Sequence, residues 1–149
     1  MQRVNLGQTH PDLYKKVVEL DQISTQHVLE SGIPEGFSHL LKLRASQINQ
    51  CAFCIRIHTQ DALKAGESLE RISLLNAWRE TEFYSDSERA ALQLIESLTL
   101  VSDQQIPDEV YELARLYLTD AQIAAIEWLG IVINAWNRIA ISSRYTVKP

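Results

Sequence analysis

The chain has 149 residues, of which 46% are hydrophobic and 22% charged, with a formal net charge of −5 at pH 7. That length fits a single domain, and so large an apolar fraction argues against intrinsic disorder. The negative charge argues against a nucleic-acid-binding protein, and two cysteines are too few for a disulfide scaffold.

Helix start and stop signals divide nearly the whole chain into helical segments. Capping boxes stand at Ser85 with Glu88 and at Thr119 with Gln122, and Asn49 is a candidate cap for the segment that follows it. No stretch of the sequence shows the alternation of apolar and polar residues that is typical of a strand. We therefore expect an all-α, single-domain helical bundle over residues 1–149, with about seven helices. These begin near Pro11, Pro34, Cys51, Ser68, Ser85, Pro107 and Thr119.

The last of these segments, 123–141, is apolar over more than one face. Glu127, Asn134, Asn137 and Arg138 interrupt it, so it is a poor candidate for a membrane span. A helix that is apolar most of the way round lies in a core or between subunits. We expect no membrane association, and a homo-oligomer.

The N-terminal segment has no apolar run of the length that a signal peptide requires. We therefore expect a cytoplasmic protein. In that compartment thiols stay reduced unless their oxidation is part of the function.

Both cysteines fall in one motif, Cys51-Ala52-Phe53-Cys54, and a histidine follows at His58. On a helix the spacing i, i+3 and i+7 places Cys51, Cys54 and His58 within about 60° of one another. Thiols in the first turn are stabilised as thiolates by the backbone N–H groups, and His58 can accept a proton from Cys54. The pair can then alternate between dithiol and disulfide.

Three other interpretations of the motif remain. The cysteines could be ordinary core residues, which free cysteines often are. A structural zinc site has no second Cys-x-x-Cys, so it would have to recruit His58 with His39 or a carboxylate. Thioredoxin-like chemistry lacks its βαβ context here. Redox chemistry without a metal is favoured, and no organic cofactor is expected because no phosphate-binding glycine motif occurs.

The segment from Leu40 to Cys54, continuing through His58-Thr59 and 64–67, closely resembles the alkylhydroperoxidase D-like (AhpD-like) branch of the carboxymuconolactone decarboxylase family. The resemblance is dense over about residues 39–100 and also includes 77–81 and 88–92. It implies an all-α fold that assembles as a homotrimer or homohexamer. It also implies a peroxidase activity that reduces alkyl hydroperoxides through the cysteine pair.

The resemblance assigns roles to four residues. Cys54 corresponds to the cysteine that attacks the peroxide, Cys51 to its resolving partner and His58 to the histidine of the proton relay. The family's relay glutamate, twelve residues before the first cysteine, is replaced by His39. If the chain reverses near Asn49, His39 and His58 come level on antiparallel helices, and a histidine can still move a proton near neutral pH.

The sequence leaves the surroundings of these residues open. Glu35 lies one helical turn before His39, and Glu80 is a second acidic candidate, but neither can be placed. His10 and His27 have no motif around them and are expected at the surface.

The favoured function is therefore a thiol-dependent peroxidase for antioxidant defence. Its substrate would be an organic hydroperoxide or hydrogen peroxide, and its reductant a dithiol, carried by a lipoyl-bearing or thioredoxin-like protein. One alternative is a redox-responsive oligomer with little turnover, because the relay glutamate is missing. The other is carboxymuconolactone decarboxylase-type chemistry, although that branch does not rely on a Cys-x-x-Cys pair.

Overall fold

A computed structural model describes residues 1–149 as nine α-helices and one 3-10 helix, without strands. The helices are α1 (Leu6–Thr9), α2 (Pro11–Glu30), α3 (Glu35–Ile48), α4 (Ala52–Lys64), α5 (Leu69–Leu74), α6 (Asp86–Thr99), α7 (Val101–Gln104), α8 (Asp108–Tyr117) and α9 (Asp120–Ser142), and the 3-10 helix spans Leu75–Glu80.

The all-α class is confirmed, and each of the seven expected helices is present, as α2 to α6, α8 and α9. The additions are α1 and α7, each of four residues and therefore too short to show a helical period, and the 3-10 helix. The fourth predicted helix changes from α5 to the 3-10 helix after Leu74, and non-helical backbone angles at Ala77 put a kink inside the 3-10 helix. Both predicted capping boxes form.

The core is built around α3, which packs against α4, α6 and α9. Leu40, Leu41 and Leu43 of α3 are fully buried against apolar side chains of α6 and α9. Each such leucine contributes roughly 1.5–3 kcal/mol of transfer free energy, so α3 is held firmly in place. The helix that carries His39 is thus firmly packed in the core.

A buried polar cluster fixes the turn between α3 and α4. Asn137 of α9 is completely buried; its Oδ1 accepts a hydrogen bond from Asn49 at 2.8 Å, and its Nδ2 donates one to Ser46 at 3.0 Å. Gln50 adopts a left-handed backbone conformation, and the amide of Cys51 donates to the carbonyl of Ser46. The first cysteine is therefore positioned by α9 as well as by its own hairpin.

The last helix, α9, packs against α2, α3 and α6 but leaves part of its apolar surface uncovered. Trp128 is 53% exposed and Ile131 46% exposed. None of the helices combines the length and apolar character that crossing a membrane requires. Covering of the exposed side of α9 by a second copy of the chain stays a prediction.

Candidate active site

The two cysteines stand at the N-terminus of α4, where they are joined by a disulfide bond. Cys51 has an extended backbone and caps the helix itself, since its Sγ accepts a hydrogen bond from the amide of Cys54 at 3.3 Å. The expectation that Asn49 caps this helix is therefore wrong. Asn49 instead ends α3, and its side-chain amide donates hydrogen bonds to Asn134 and Asn137. Cys54 sits in the first turn of α4, where the helix dipole stabilises negative charge on sulfur.

The two sulfur-bearing residues border different cavities. Cys54 lines a mostly apolar cavity of about 280 Å³, which we call the Cys54 cavity. Cys51 lines a second cavity of about 300 Å³, the Cys51 cavity, together with Arg3 and Arg144. Both cysteines are almost completely buried in the chain. The disulfide therefore lies between two different cavities.

Two histidines meet across the α3–α4 hairpin, as the hairpin geometry predicts. His58 lies one turn after Cys54 on α4 and lines the Cys54 cavity. The ring of His39, from α3, stacks on that of His58 with 5.9 Å between ring centroids and 26° between planes. The Nδ1 atoms of both rings are buried and have no hydrogen-bond partner.

The surroundings keep both imidazoles neutral in this disulfide form. Burial, followed by the nearby charge of Lys42 and by His39, lowers the pKa of His58 to about 3. Burial and Lys42 also lower the pKa of His39, although Asp61, Glu35 and Asp21 act in the opposite direction. Near pH 7 each ring therefore has one nitrogen free to accept a proton.

Two carboxylates that the sequence reasoning missed lie close by. Asp61, one turn after His58 on α4, has a carboxylate oxygen within 4.8 Å of ligand nitrogens of His39 and His58. Asp21, from α2, lines the Cys54 cavity and accepts hydrogen bonds from Trp136 Nε1 at 3.2 Å and Lys42 Nζ at 3.4 Å. The i, i+3 spacing from His58 was a signal for Asp61; Asp21 had none, because it comes from a helix remote in sequence.

The other candidate residues lie outside the Cys54 cavity. Glu35 is exposed in the first turn of α3, where it acts on His39 only through its charge. Glu80 is exposed at the end of the 3-10 helix. His10 and His27 are exposed, as expected.

Because the neutral histidines are buried, we expect the free energy of unfolding to fall in mild acid. Between pH 6.5 and 3 the unfolded chain protonates His58 whereas the folded chain does not, so unfolding becomes easier as the pH falls. We expect His58 to contribute up to ~1.4 kcal/mol of lost stability per pH unit in this window. Urea denaturation at pH 7 and 5 should show a smaller loss for His58→Gln than for wild type. Equal losses would contradict the assigned burial effect, and the exposed His10→Gln serves as control.

The chain matches the model of a known protein family. The model of the carboxymuconolactone decarboxylase family matches residues 11–97, a segment that contains both cysteines and both histidines of the site.

Two individual proteins resemble nearly the whole chain. The uncharacterized protein YdfG of Bacillus subtilis strain 168 is 40% identical over 141 residues, which cover 95% of this chain and 93% of that protein. A crystal structure of an Agrobacterium tumefaciens protein of unknown function, for which a role as the antioxidant defence protein AhpD has been suggested, is 35% identical. It superposes with a TM-score of 0.89 over 100% of this chain and 99% of the other.

Proposed function

The chain belongs to the carboxymuconolactone decarboxylase family, with an AhpD-like fold, and from that premise we propose that it is a thiol-dependent peroxidase. One observation carries the proposal. Cys54, which forms a disulfide with Cys51, borders the same cavity as His58, a neutral base one helical turn away. A bonded cysteine pair beside a proton acceptor and an open cavity is what a dithiol–disulfide cycle requires.

The first half of the cycle reduces the peroxide. Cys54 transfers its thiol proton to His58, and the thiolate attacks the terminal oxygen of the peroxide. The S–O bond forms as the O–O bond breaks, and the departing alkoxide takes the proton from His58 to leave as an alcohol. Cys54 is oxidised to a sulfenic acid, and the peroxide is reduced by two electrons.

Reduction of the disulfide makes His58 a better base than it is in the oxidised form. A Cys54 thiolate places a negative charge in the cavity that His58 lines, and a nearby opposite charge raises the pKa of a histidine. This attraction opposes the burial and the charge of Lys42 that lower the pKa of His58 in the disulfide form. We assign His39, stacked on His58, the second position of the relay.

The second half of the cycle closes the disulfide. The Cys51 thiolate attacks the sulfenyl sulfur of Cys54, the S–S bond forms, and the hydroxyl of the sulfenic acid leaves as water after accepting one proton. Since Cys51 caps the helix with its sulfur directed at the amide of Cys54, little movement is needed for this attack.

The cavities suggest different routes for peroxide and reductant. The Cys54 cavity is mostly apolar, with Phe53, Ile57 and Ile133 in its wall, and this favours an organic hydroperoxide over hydrogen peroxide. A dithiol reductant would attack Cys51 from the Cys51 cavity, form a mixed disulfide with it and expel Cys54 as a thiolate, which the N-terminus of α4 stabilises. A lipoyl-bearing or thioredoxin-like protein fits this role, and the second thiol of the reductant then releases Cys51.

Steady-state consumption of cumene hydroperoxide, with dihydrolipoamide as reductant, tests the proposal. Wild type should turn over repeatedly, and the Cys51→Ser/Cys54→Ser protein should show only the background reaction. Rapid disulfide formation in wild type without repeated turnover would instead favour the redox-responsive protein. In that case His39→Glu, which restores the family's glutamate, should raise turnover.

His58→Gln should lower the rate of peroxide reduction at pH 7 by about a hundredfold, because proton transfer by a positioned base contributes roughly 10²–10⁴-fold. Raising the pH to 9 should recover much of this loss, since the thiol then ionises without help. Stopped-flow measurement of Cys54 oxidation across this pH range separates the relay from a structural role. A pH-independent defect would argue against proton transfer, and His10→Gln is the matched control.

A further inference from the structure

We propose that His39, His58 and Asp61 form a binding site for one divalent transition-metal ion, with Zn²⁺ as the reference ion. The inference does not rest on the peroxidase function. From the sequence, a zinc site was disfavoured because no second Cys-x-x-Cys occurs, and it would have had to recruit His58 with His39 or a carboxylate. The fold brings both histidines and a carboxylate together.

The geometry is close to that of a three-ligand site. One ligand atom from each residue lies within 4.8 Å of the other two. Zinc bonds of about 2.1 Å place tetrahedral ligand atoms roughly 3.4 Å apart, so side-chain rotations that shorten these separations by up to about 1.4 Å complete the site. His58 and Asp61 share one face of α4, and His39 approaches from the firmly packed α3.

Each of the two histidines has a ring nitrogen that the protein itself leaves unused. The Nδ1 atoms of both rings are buried without a hydrogen-bond partner, although buried polar atoms nearly always have one.

The charges around the cluster favour a cation. Lys42 is the one basic group that acts on both rings, and it is paired with Asp21 at 3.4 Å. Asp61 and Glu35 add two negative charges, although Asp61 also pairs with the exposed Lys64, whose Nζ lies 3.5 Å away. Two imidazole nitrogens with one carboxylate select zinc and its neighbours over calcium or magnesium, which prefer oxygen ligands.

An ion at this site would have a chemical consequence for the cysteines. His58 lines the Cys54 cavity, and a metal bound to its nitrogen would occupy the lone pair that accepts the proton of Cys54. Metal binding and proton transfer at His58 therefore exclude one another.

The test uses the Cys51→Ser/Cys54→Ser protein, so that no thiol can bind the ion. Titration with Co²⁺, followed by its ligand-field absorption and competed with Zn²⁺, should reveal one ion per chain. In the same background, Asp61→Asn and His39→Ala should each weaken binding by more than about tenfold. His10→Ala, at an exposed histidine outside the cluster, should leave the affinity unchanged.

Two results would overturn the site: no saturable binding in the cysteine-free protein, or binding that Asp61→Asn and His39→Ala leave unaltered. Asp61→Asn is isosteric at a partly exposed position, so it should fold, and circular dichroism checks this. Since no thiol is present, a failed peroxidase assay and a failed metal titration are independent results.

Discussion

Replacing Cys54 by serine should abolish peroxide reduction, lowering its rate by about a thousandfold or more. A serine hydroxyl is far less acidic than a thiol and does not attack the O–O bond at neutral pH. The substitution changes one atom at a buried position that lines the Cys54 cavity, so the helical fold should persist. Stopped-flow mixing of the reduced variant with cumene hydroperoxide measures the loss.

Cys51→Ser should behave differently, and this asymmetry identifies the attacking thiol. With Cys54 intact, the variant should consume one equivalent of peroxide in a burst and then stop, because no thiol resolves the sulfenic acid. A sulfenic-acid-specific reagent should label Cys54 in this variant. If the burst survives in Cys54→Ser and disappears in Cys51→Ser, the two roles are reversed.

The largest expected loss of stability follows removal of the charge of Glu96, which links three elements of the fold. This buried carboxylate on α6 accepts hydrogen bonds from Arg44 Nε at 2.7 Å and Trp78 Nε1 at 2.8 Å. Its second oxygen lies 2.7 Å from Arg79. Glu96→Gln leaves the mostly buried Arg44 without its counter-charge, and breaking such a pair costs about 3–5 kcal/mol. Urea denaturation at pH 7 measures this loss.

The pH dependence gives the Glu96 prediction a second, independent signature. Burial by itself would raise the pKa of Glu96, but hydrogen bonds from Arg79, Trp78 and Arg44 hold that pKa below its ordinary value. The stabilisation is therefore complete above pH 4.5 and is lost as the pH falls through the folded-state pKa. The difference in unfolding free energy between wild type and Glu96→Gln should shrink in acid. The exposed Glu80→Gln is the control, and a loss under about 0.5 kcal/mol would contradict the assignment.

Local features of the fold were predictable from sequence. The capping boxes at Ser85 and Thr119 form because they satisfy backbone groups within one turn. The meeting of His39 and His58 followed from counting residues on either side of one tight turn. Both depend only on short-range geometry.

Features that depend on distant segments were not predictable. Asn49 was expected to cap α4, but α9 offers its side chain two better partners, Asn134 and Asn137, more than 80 residues away. Asp21 reaches the Cys54 cavity only because α2 packs on α9, where Trp136 holds its carboxylate. No spacing within one helix encodes such contacts.

The most direct test of the proposed peroxidase is the stoichiometry of a single turnover. Fully reduced wild-type protein is mixed with one equivalent of cumene hydroperoxide, and the alcohol product, the remaining thiols and the peptide masses are quantified. We expect one alcohol for every two thiols lost, with Cys51 and Cys54 recovered as one disulfide-linked peptide. Peroxide that remains unconsumed while the cysteines stay reduced would contradict the proposed function.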